Sequence, residues 1–280
     1  MNRFLVFPLI LALAFCVLGG CSDAGKQESK VDFATDSVVQ QGAFKKSNGE
    51  MCQMKVNVVV SYPVASKDSM AMRELQQVFN REVLHAPKGI SKVKDAIKFY
   101  AQSLVNNNTP SQAGATRASN DTITGEIDEI DIDRFESSVI ISVVYNAHNI
   151  ISFCKEETIK KNNYTTSVTH HYVSLDLDSL KRITLSDLFR DDCIDQVTKS
   201  LKKQLMSDKG AGNEDELNDF GYFNLPNLTV SGNFFFTPDG ITWSYDPGVI
   251  AVASVGEPTI NIDYDDLMQF KGDNSLLDRF

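Results

Sequence analysis

The sequence predicts an α+β protein in which a mainly antiparallel sheet packs with helices, in two adjoining subdomains. Several runs alternate apolar and polar residues with the period of a strand, among them Cys52 to Tyr62 and Tyr164 to Leu177. Three other stretches repeat apolar residues at helical spacing, and they are grouped between the strands instead of following each strand in turn. Grouped strands and helices favour α+β over a parallel doubly wound sheet.

The N-terminus has the pattern of an export signal. An apolar run from Phe4 to Leu18 follows Arg3, and it is shorter than the roughly 20 residues of a membrane span. Gly19 and Gly20 then precede Cys21, as in a bacterial lipobox. We expect a signal peptide at residues 1–20 and lipidation of Cys21 by acyl chains such as palmitate; an ordinary signal peptide with a chance cysteine is the alternative. Removal of residues 1–20 leaves 260 residues and changes the formal net charge from −10 to −11.

Residues 21–48 are polar and lack sustained periodicity, which predicts a flexible tether. We expect an N-terminal α+β subdomain at residues 49–155. It begins with the strand from Cys52 to Tyr62, which Pro63 ends. Two helical faces follow and carry Met72, Leu75, Phe79, Val83, then Val93, Ile97, Tyr100 and Leu104.

Strands dominate the rest of this subdomain. The strand pattern that begins at Val139 continues to Cys154, which is unusually long for one strand. We therefore expect a bend or bulge near residues 146–149. Residues 155–163 are charged and predict a turn.

The C-terminal α+β domain is predicted at residues 156–271, with a polar tail at 272–280. After the strand from Tyr164, a helix is expected with Ile194, Val197, Leu201 and Leu205 on one stripe. Phe234 to Phe236, the Thr237-Pro238-Asp239-Gly240 turn and the alternating return strand predict a hairpin.

The cysteines and histidines are candidate reactive groups or ligands. Cys52 and Cys154 are candidates for a disulfide, although three mature thiols leave one over and buried free thiols are common. His170 and His171 would point to opposite faces of a strand, so they cannot share a metal ion. The acidic cluster from Asp128 to Asp133 lacks the EF-hand positions and fits a strand with one solvated face. We predict no metal and no cofactor.

Other binding features are few. Trp243 and Tyr245 share a strand face and would stack on a sugar if that face were open, although a core position is the commoner arrangement. No G-x-S-x-G motif occurs, so a hydrolase nucleophile is not indicated. The negative net charge and the lack of basic blocks argue against nucleic acid as a partner.

Two segments carry a resemblance to a known family. Residues 164–189 contain a strand, an Asp-Leu turn and the Leu185-Ser186-Asp187-Leu188-Phe189 helix entry, and residues 233–267 contain the Asn-Phe…Thr-Pro-Asp-Gly hairpin and a closing strand. They resemble the extracytoplasmic domain of lysozyme-sensing anti-sigma factors of the RsiV type, which also precedes the catalytic part of PdaC-type peptidoglycan deacetylases. The Gly-Gly-Ala-His segment common in that family is absent before Tyr164.

The resemblance implies an envelope binding domain without catalysis of its own. We therefore expect a protein anchored to the bacterial cell envelope by lipid, on the periplasmic side or the outer-membrane surface, that binds a lysozyme-type hydrolase or peptidoglycan. A peptidoglycan-modifying enzyme or its accessory subunit is one alternative, and a structural surface lipoprotein is another. The sequence leaves the ligand and the oligomeric state open.

Overall fold

The computed structural model describes residues 31–45, 51–65, 69–107, 116–117, 133–225 and 228–280. The signal peptide, Cys21 and the acidic residues at 128–131 lie outside these ranges. Within them the α+β prediction is confirmed: four α-helices pack with a seven-stranded and a three-stranded sheet. None of these helices combines the length and the apolarity that crossing a bilayer requires.

The large sheet has the order β3-β1-β2-β4-β5-β6-β7. Its first part comprises β1 (Asp32–Lys45), β2 (Met51–Ala65) and β3 (Thr116–Arg117), with helices α1 (Ser69–Glu82) and α2 (Val93–Asn107) between β2 and β3. The second part comprises β4 (Asp133–Ala147), β5 (Ile150–Lys161), β6 (Tyr164–Asp176) and β7 (Lys181–Arg182). All neighbours are antiparallel except β2 and β4, which are parallel because the two helices fill the crossover between them.

The small sheet belongs to the C-terminal third. Helix α3 (Ile194–Lys209) leads to β8 (Phe234–Phe236), β9 (Gly240–Ser244), β10 (Thr259–Asp263) and the short α4 (Tyr264–Leu267). The turn before β9 requires glycine, because a Cβ at Gly240 would lie 2.1 Å from the Ile262 carbonyl oxygen. The predicted hairpin and the predicted stripe of α3 are therefore confirmed, with Val197, Leu201 and Leu205 all buried.

Two hydrophobic cores lie on opposite faces of the large sheet. Helices α1 and α2 cover one face, where Val58, Phe79 and Ile97 are fully buried. The second core joins α3 and the small sheet to the other face at the end of β4 and the start of β5, through Tyr145 and Ile150. The rest of that second face, which we call the open face, carries the alternate side chains of β1, β2, β4 and β5.

Several expectations on organisation differ from the structure. Residues 32–45 of the predicted tether form β1, because their backbone pairs with the whole length of β2. Residues 155–161 are not a turn but the second half of β5, so the sheet continues across the expected boundary at residue 155. The bend at 146–149 is a full reversal between β4 and β5, with His148 and Asn149 at positive φ.

The C-terminal residues are not a free tail. Leu277 is fully buried, and the Phe280 ring stacks on Tyr264 at 3.8 Å between centroids. The Arg279 guanidinium binds Asp176 at 2.8 Å and Asp178 at 3.0 Å. Residues 276–280 therefore fasten the second core to the β6–β7 turn.

Candidate functional site

The cysteines predicted to pair are far apart in the sheet. Cys52 lies opposite Asp133 on β4, whereas Cys154 lies opposite Ser142. Nine residues of strand between those two positions on β4 correspond to about 30 Å, against the roughly 7 Å upper limit between Cα atoms of a disulfide. The predicted Cys52–Cys154 disulfide is therefore wrong: neither cysteine is in a disulfide, and both side chains are buried.

The Cys154 thiol is not poised as a nucleophile. Burial raises its pKa to about 11, although a hydrogen bond with Tyr172 acts in the opposite direction. A thiol with that pKa is protonated at neutral pH, and the thiolate is the reactive form.

Trp243 and Tyr245 do not form a stacking platform. Trp243 is fully buried among Phe189 and Phe234, and Tyr245 is 6% exposed and donates a hydrogen bond to the Thr229 carbonyl. The prediction that these rings contact a ligand is wrong, because the face they share is the one that packs on α3.

A polar cluster connects the small sheet to the large one. The Glu257 carboxylate accepts a hydrogen bond from the Ser244 hydroxyl and lies 2.7 Å from Nδ1 of His170, and Nε2 of that ring lies 3.5 Å from Glu156. Here the carboxylate stands between serine and histidine, whereas a hydrolase triad places the histidine between serine and acid. His170 is therefore not positioned to remove the Ser244 proton, and Ser244 itself is buried. The cluster instead fixes the end of the loop that connects β9 to β10.

That loop carries part of an exposed apolar surface. Its partner is the segment between α3 and β8, and the two are joined by hydrogen bonds from Phe223 N to Ile250 O and from Val252 N to Gly221 O. Gly221 adopts φ +82°, and a Cβ there would lie 2.9 Å from Val252 Cγ2, so the close approach requires glycine. The exposed side chains of the two segments, which we call the apolar patch, are Phe220, Phe223, Val249, Val252 and Val255.

The apolar patch lies in a part of the chain with a strong negative charge. From residue 210 to residue 270 the sequence contains ten acidic residues and no lysine, arginine or histidine. The rest of the chain therefore holds 27 acidic and 27 basic residues, so the whole net charge of −10 arises from these 61 residues. Asp219 and Asp246 are exposed beside Phe220 and Val249 in the two segments of the patch.

Comparison with known families assigns this part of the chain. Residues 186–265 match the family described as "Protein of unknown function (DUF3298)". The chain contains a DUF3298 domain. It lies inside the predicted C-terminal domain at 156–271 and includes both segments of the apolar patch.

Two crystal structures of DUF3298 family proteins are similar in fold to the whole chain. One, from Bacteroides fragilis NCTC 9343, has a TM-score of 0.64 at 20% identity and covers 91% of this chain and 98% of its own. The other, from Pseudomonas aeruginosa PAO1, has a TM-score of 0.53 at 10% identity and covers 88% and 97%. No curated protein matches the chain. At these identities the likeness extends to the fold alone, and it includes the large sheet as well as the DUF3298 domain.

Sequence reasoning missed the apolar patch, because its residues lie in two loops without periodicity. The absence of basic residues from 210 to 270 was visible in the sequence and could have indicated it. In the described ranges no group of three or more His, Cys, Asp or Glu side chains is arranged to hold a metal ion.

Proposed function

We propose that the protein is a lipid-anchored module of the bacterial cell envelope whose DUF3298 domain binds a basic protein, such as a lysozyme-type hydrolase, without catalysing a reaction. The observation that carries this proposal is the apolar patch within a segment that has ten acidic and no basic residues. Exposed apolar clusters rimmed by polar residues are typical of protein interaction sites. The sequence resemblance to lysozyme-sensing domains supports the choice of partner.

Charge and apolar area have separate roles in this proposal. A surface of one sign attracts a partner of the opposite sign and raises the association rate, an effect that salt screens. Apolar side chains at the centre of an interface contribute to the stability of the complex once formed. Binding is therefore expected to be faster at low salt and to depend on the valines at both salt concentrations.

The anchor is supported by the sequence around Cys21. Replacing Cys21 with serine is expected to move the chain from the membrane fraction to the soluble fraction, since a thiol is needed for lipidation. Detergent phase partition of the wild type and of C21S measures this. If wild-type protein partitions into the aqueous phase like C21S, the lipid anchor is disproved.

The partner is tested by passing lysozyme over the full chain at low and at moderate salt. The variant Val249→Glu/Val252→Glu places two charges in the apolar patch and is expected to weaken binding by about tenfold or more, since each buried apolar side chain contributes on the order of 1 kcal/mol. The matched control is Val39→Glu, which changes a 54% exposed valine of the large sheet.

The expected outcome is binding by the wild type and by V39E, with weaker binding by the double variant. Failure of lysozyme to bind at either salt concentration refutes this partner. Equal affinity of the double variant refutes the apolar patch as the docking surface.

A further inference from the structure

The open face of the large sheet contains a second feature, a groove of about 360 Å³ that the proposed function does not use. It lies where β1 and β5 end and β2 and β4 begin. The loop that carries part of the apolar patch reaches β5 at Glu156, through Glu257 and His170, and Lys160 in the groove is four residues further along the strand, about 13 Å away. The groove is lined by residues of β1, β2, β4, β5 and the turn after β5, none of which belongs to the apolar patch, so the two are different surfaces.

The strand register explains which side chains line the groove. Gln41, Lys55, Glu136 and Lys160 are successive cross-strand neighbours, and they form one row across β1, β2, β4 and β5. Gln53 and Arg134 are neighbours in the next row. Because these positions alternate with the buried valines of β2, their side chains lie on the open face.

One wall of the groove is held rigidly. Asn162 and Asn163 form the two-residue turn between β5 and β6, both at positive φ, as a type I′ hairpin requires. Asn162 accepts a hydrogen bond from Arg134 N at 2.9 Å and donates to Asp133 at 3.2 Å. Asn163, the second residue of this turn, lines the groove.

The charge of the groove is opposite to that of the DUF3298 domain. Lys55 is paired with Glu136 at 3.1 Å, and both side chains are at least 40% exposed. Neither Arg134 nor Lys160 forms an ion pair with a side chain in the described ranges. Two positive charges therefore remain next to hydrogen-bonding amides and one carboxylate.

This combination selects a class of ligand. The two cations recognise negative groups, Glu136 accepts hydrogen bonds, and the amides of Gln41 and Gln53 both accept and donate them, so a fitting ligand combines negative charge with hydrogen-bond donors. A phosphodiester chain offers mainly acceptors, and an acidic peptide offers donors mainly through its backbone N–H groups, one for each residue. An oligosaccharide with carboxylates offers both, since each sugar presents hydroxyl groups beside the charge. The volume also lies within the range of small-ligand sites.

We propose that this groove binds an acidic oligosaccharide, a chain of uronic-acid type, independently of the docking of a protein partner. Recognition is by charge and hydrogen bonds and not by stacking on an aromatic ring. Phe135 is a groove residue, but its ring lies on the helix side of the sheet, where Lys161 Nζ is 5.5 Å from the ring centroid. Binding is expected to weaken as salt is raised, since the two cationic contacts are exposed.

The test is calorimetry of the full chain in mild detergent with tetragalacturonate as the probe. Maltotetraose serves as the neutral counterpart and tetraglutamate as the acidic peptide. Arg134→Gln/Lys160→Gln is expected to reduce affinity for tetragalacturonate by about tenfold or more. The control Lys199→Gln/Lys203→Gln makes the same change in charge on the exposed side of α3 and is expected to bind as the wild type does.

Circular dichroism of each variant verifies folding, and Lys160→Arg, which keeps the charge, is expected to retain binding. Absence of binding to tetragalacturonate overturns the proposal, as does an equal loss in the α3 control. Equal binding of maltotetraose refutes the role of charge, and tighter binding of tetraglutamate reassigns the groove to an acidic peptide. Lysozyme plays no part in these measurements, so their failure is distinct from failure of the protein-docking proposal.

Discussion

The side chain of Asn233 holds the DUF3298 domain against the edge of β6, and its removal gives a sharp test of the fold. Its Oδ1 accepts a hydrogen bond from Tyr172 N at 2.7 Å, and its Nδ2 donates to His170 O at 2.9 Å. In the described structure β7 pairs with β6 only at Leu175 and Asp176, so the amide replaces a neighbouring strand at residues 170–172. An edge that is covered in this way is protected from pairing with other chains.

Asn233→Ala leaves one backbone donor and one backbone acceptor without this partner. Each lost hydrogen bond costs about 1 kcal/mol, and more where water cannot replace it. Because the site is partly buried, we expect a total loss of about 2–3 kcal/mol in the free energy of unfolding. For a chain of this size each kcal/mol lowers Tm by about 2–4 °C, so the expected decrease is about 5–10 °C.

Thermal unfolding of the full chain, followed by circular dichroism, measures this decrease. Asn233→Asp keeps the acceptor for Tyr172 and loses the donor for His170, so it is expected to melt between the wild type and the alanine variant. Asn106→Ala on the exposed side of α2 is the control, with a change within about 0.5 kcal/mol. If Asn233→Ala melts as the control does, the amide does not substitute for a strand.

Two further predictions concern the C-terminal contact and the thiols. Burial alone would raise the pKa of Asp176, but hydrogen bonds from Arg279, Ser179 and the Asp178 backbone hold it below its ordinary value. This contribution to stability is present above the unfolded pKa and is lost as the pH falls through the folded one. Arg279→Ala is therefore expected to cost roughly 3 kcal/mol in urea unfolding at pH 7 and progressively less as the pH is lowered below 3.8, the ordinary pKa of the carboxyl; a cost that does not change over this range refutes the ion pair. Alkylation of the unfolded chain without reductant is expected to label Cys52 and Cys154 fully, and a peptide linking the two would contradict the sheet register.

The sequence was informative wherever one face of an element is buried and the other is wet. The apolar positions of α1, α2 and α3 and the alternation of β2, β6 and β9 predicted those elements correctly. In each case the spacing of the apolar residues follows the repeat of the element, about 3.6 residues in a helix and two in a strand. The Thr237–Gly240 turn was also predicted correctly, although its glycine is required by the close approach of the Ile262 carbonyl and not by a positive φ.

The sequence was uninformative where partners decide the structure. β1 has Gln40 and Gly42 on its helix-facing side, so its alternation is weak, and only the pairing with β2 makes it a strand. Glu156 and Glu157 lie in the middle of β5 because neighbours on both sides satisfy its backbone, and Glu157 accepts a hydrogen bond from Ser137. The apolar patch unites Phe220 with Val252, which are distant along the chain.

The uneven distribution of basic residues also determines how the protein behaves in the laboratory. Trypsin cleaves only after lysine and arginine, so complete digestion should release residues 210–271 as a single large acidic peptide. Reagents that couple to side-chain amines have no target in that peptide before Lys271. A chain immobilised or labelled through its lysines therefore presents the surface around Phe223 and Val249 chemically unmodified, which makes amine coupling a suitable format for partner screening.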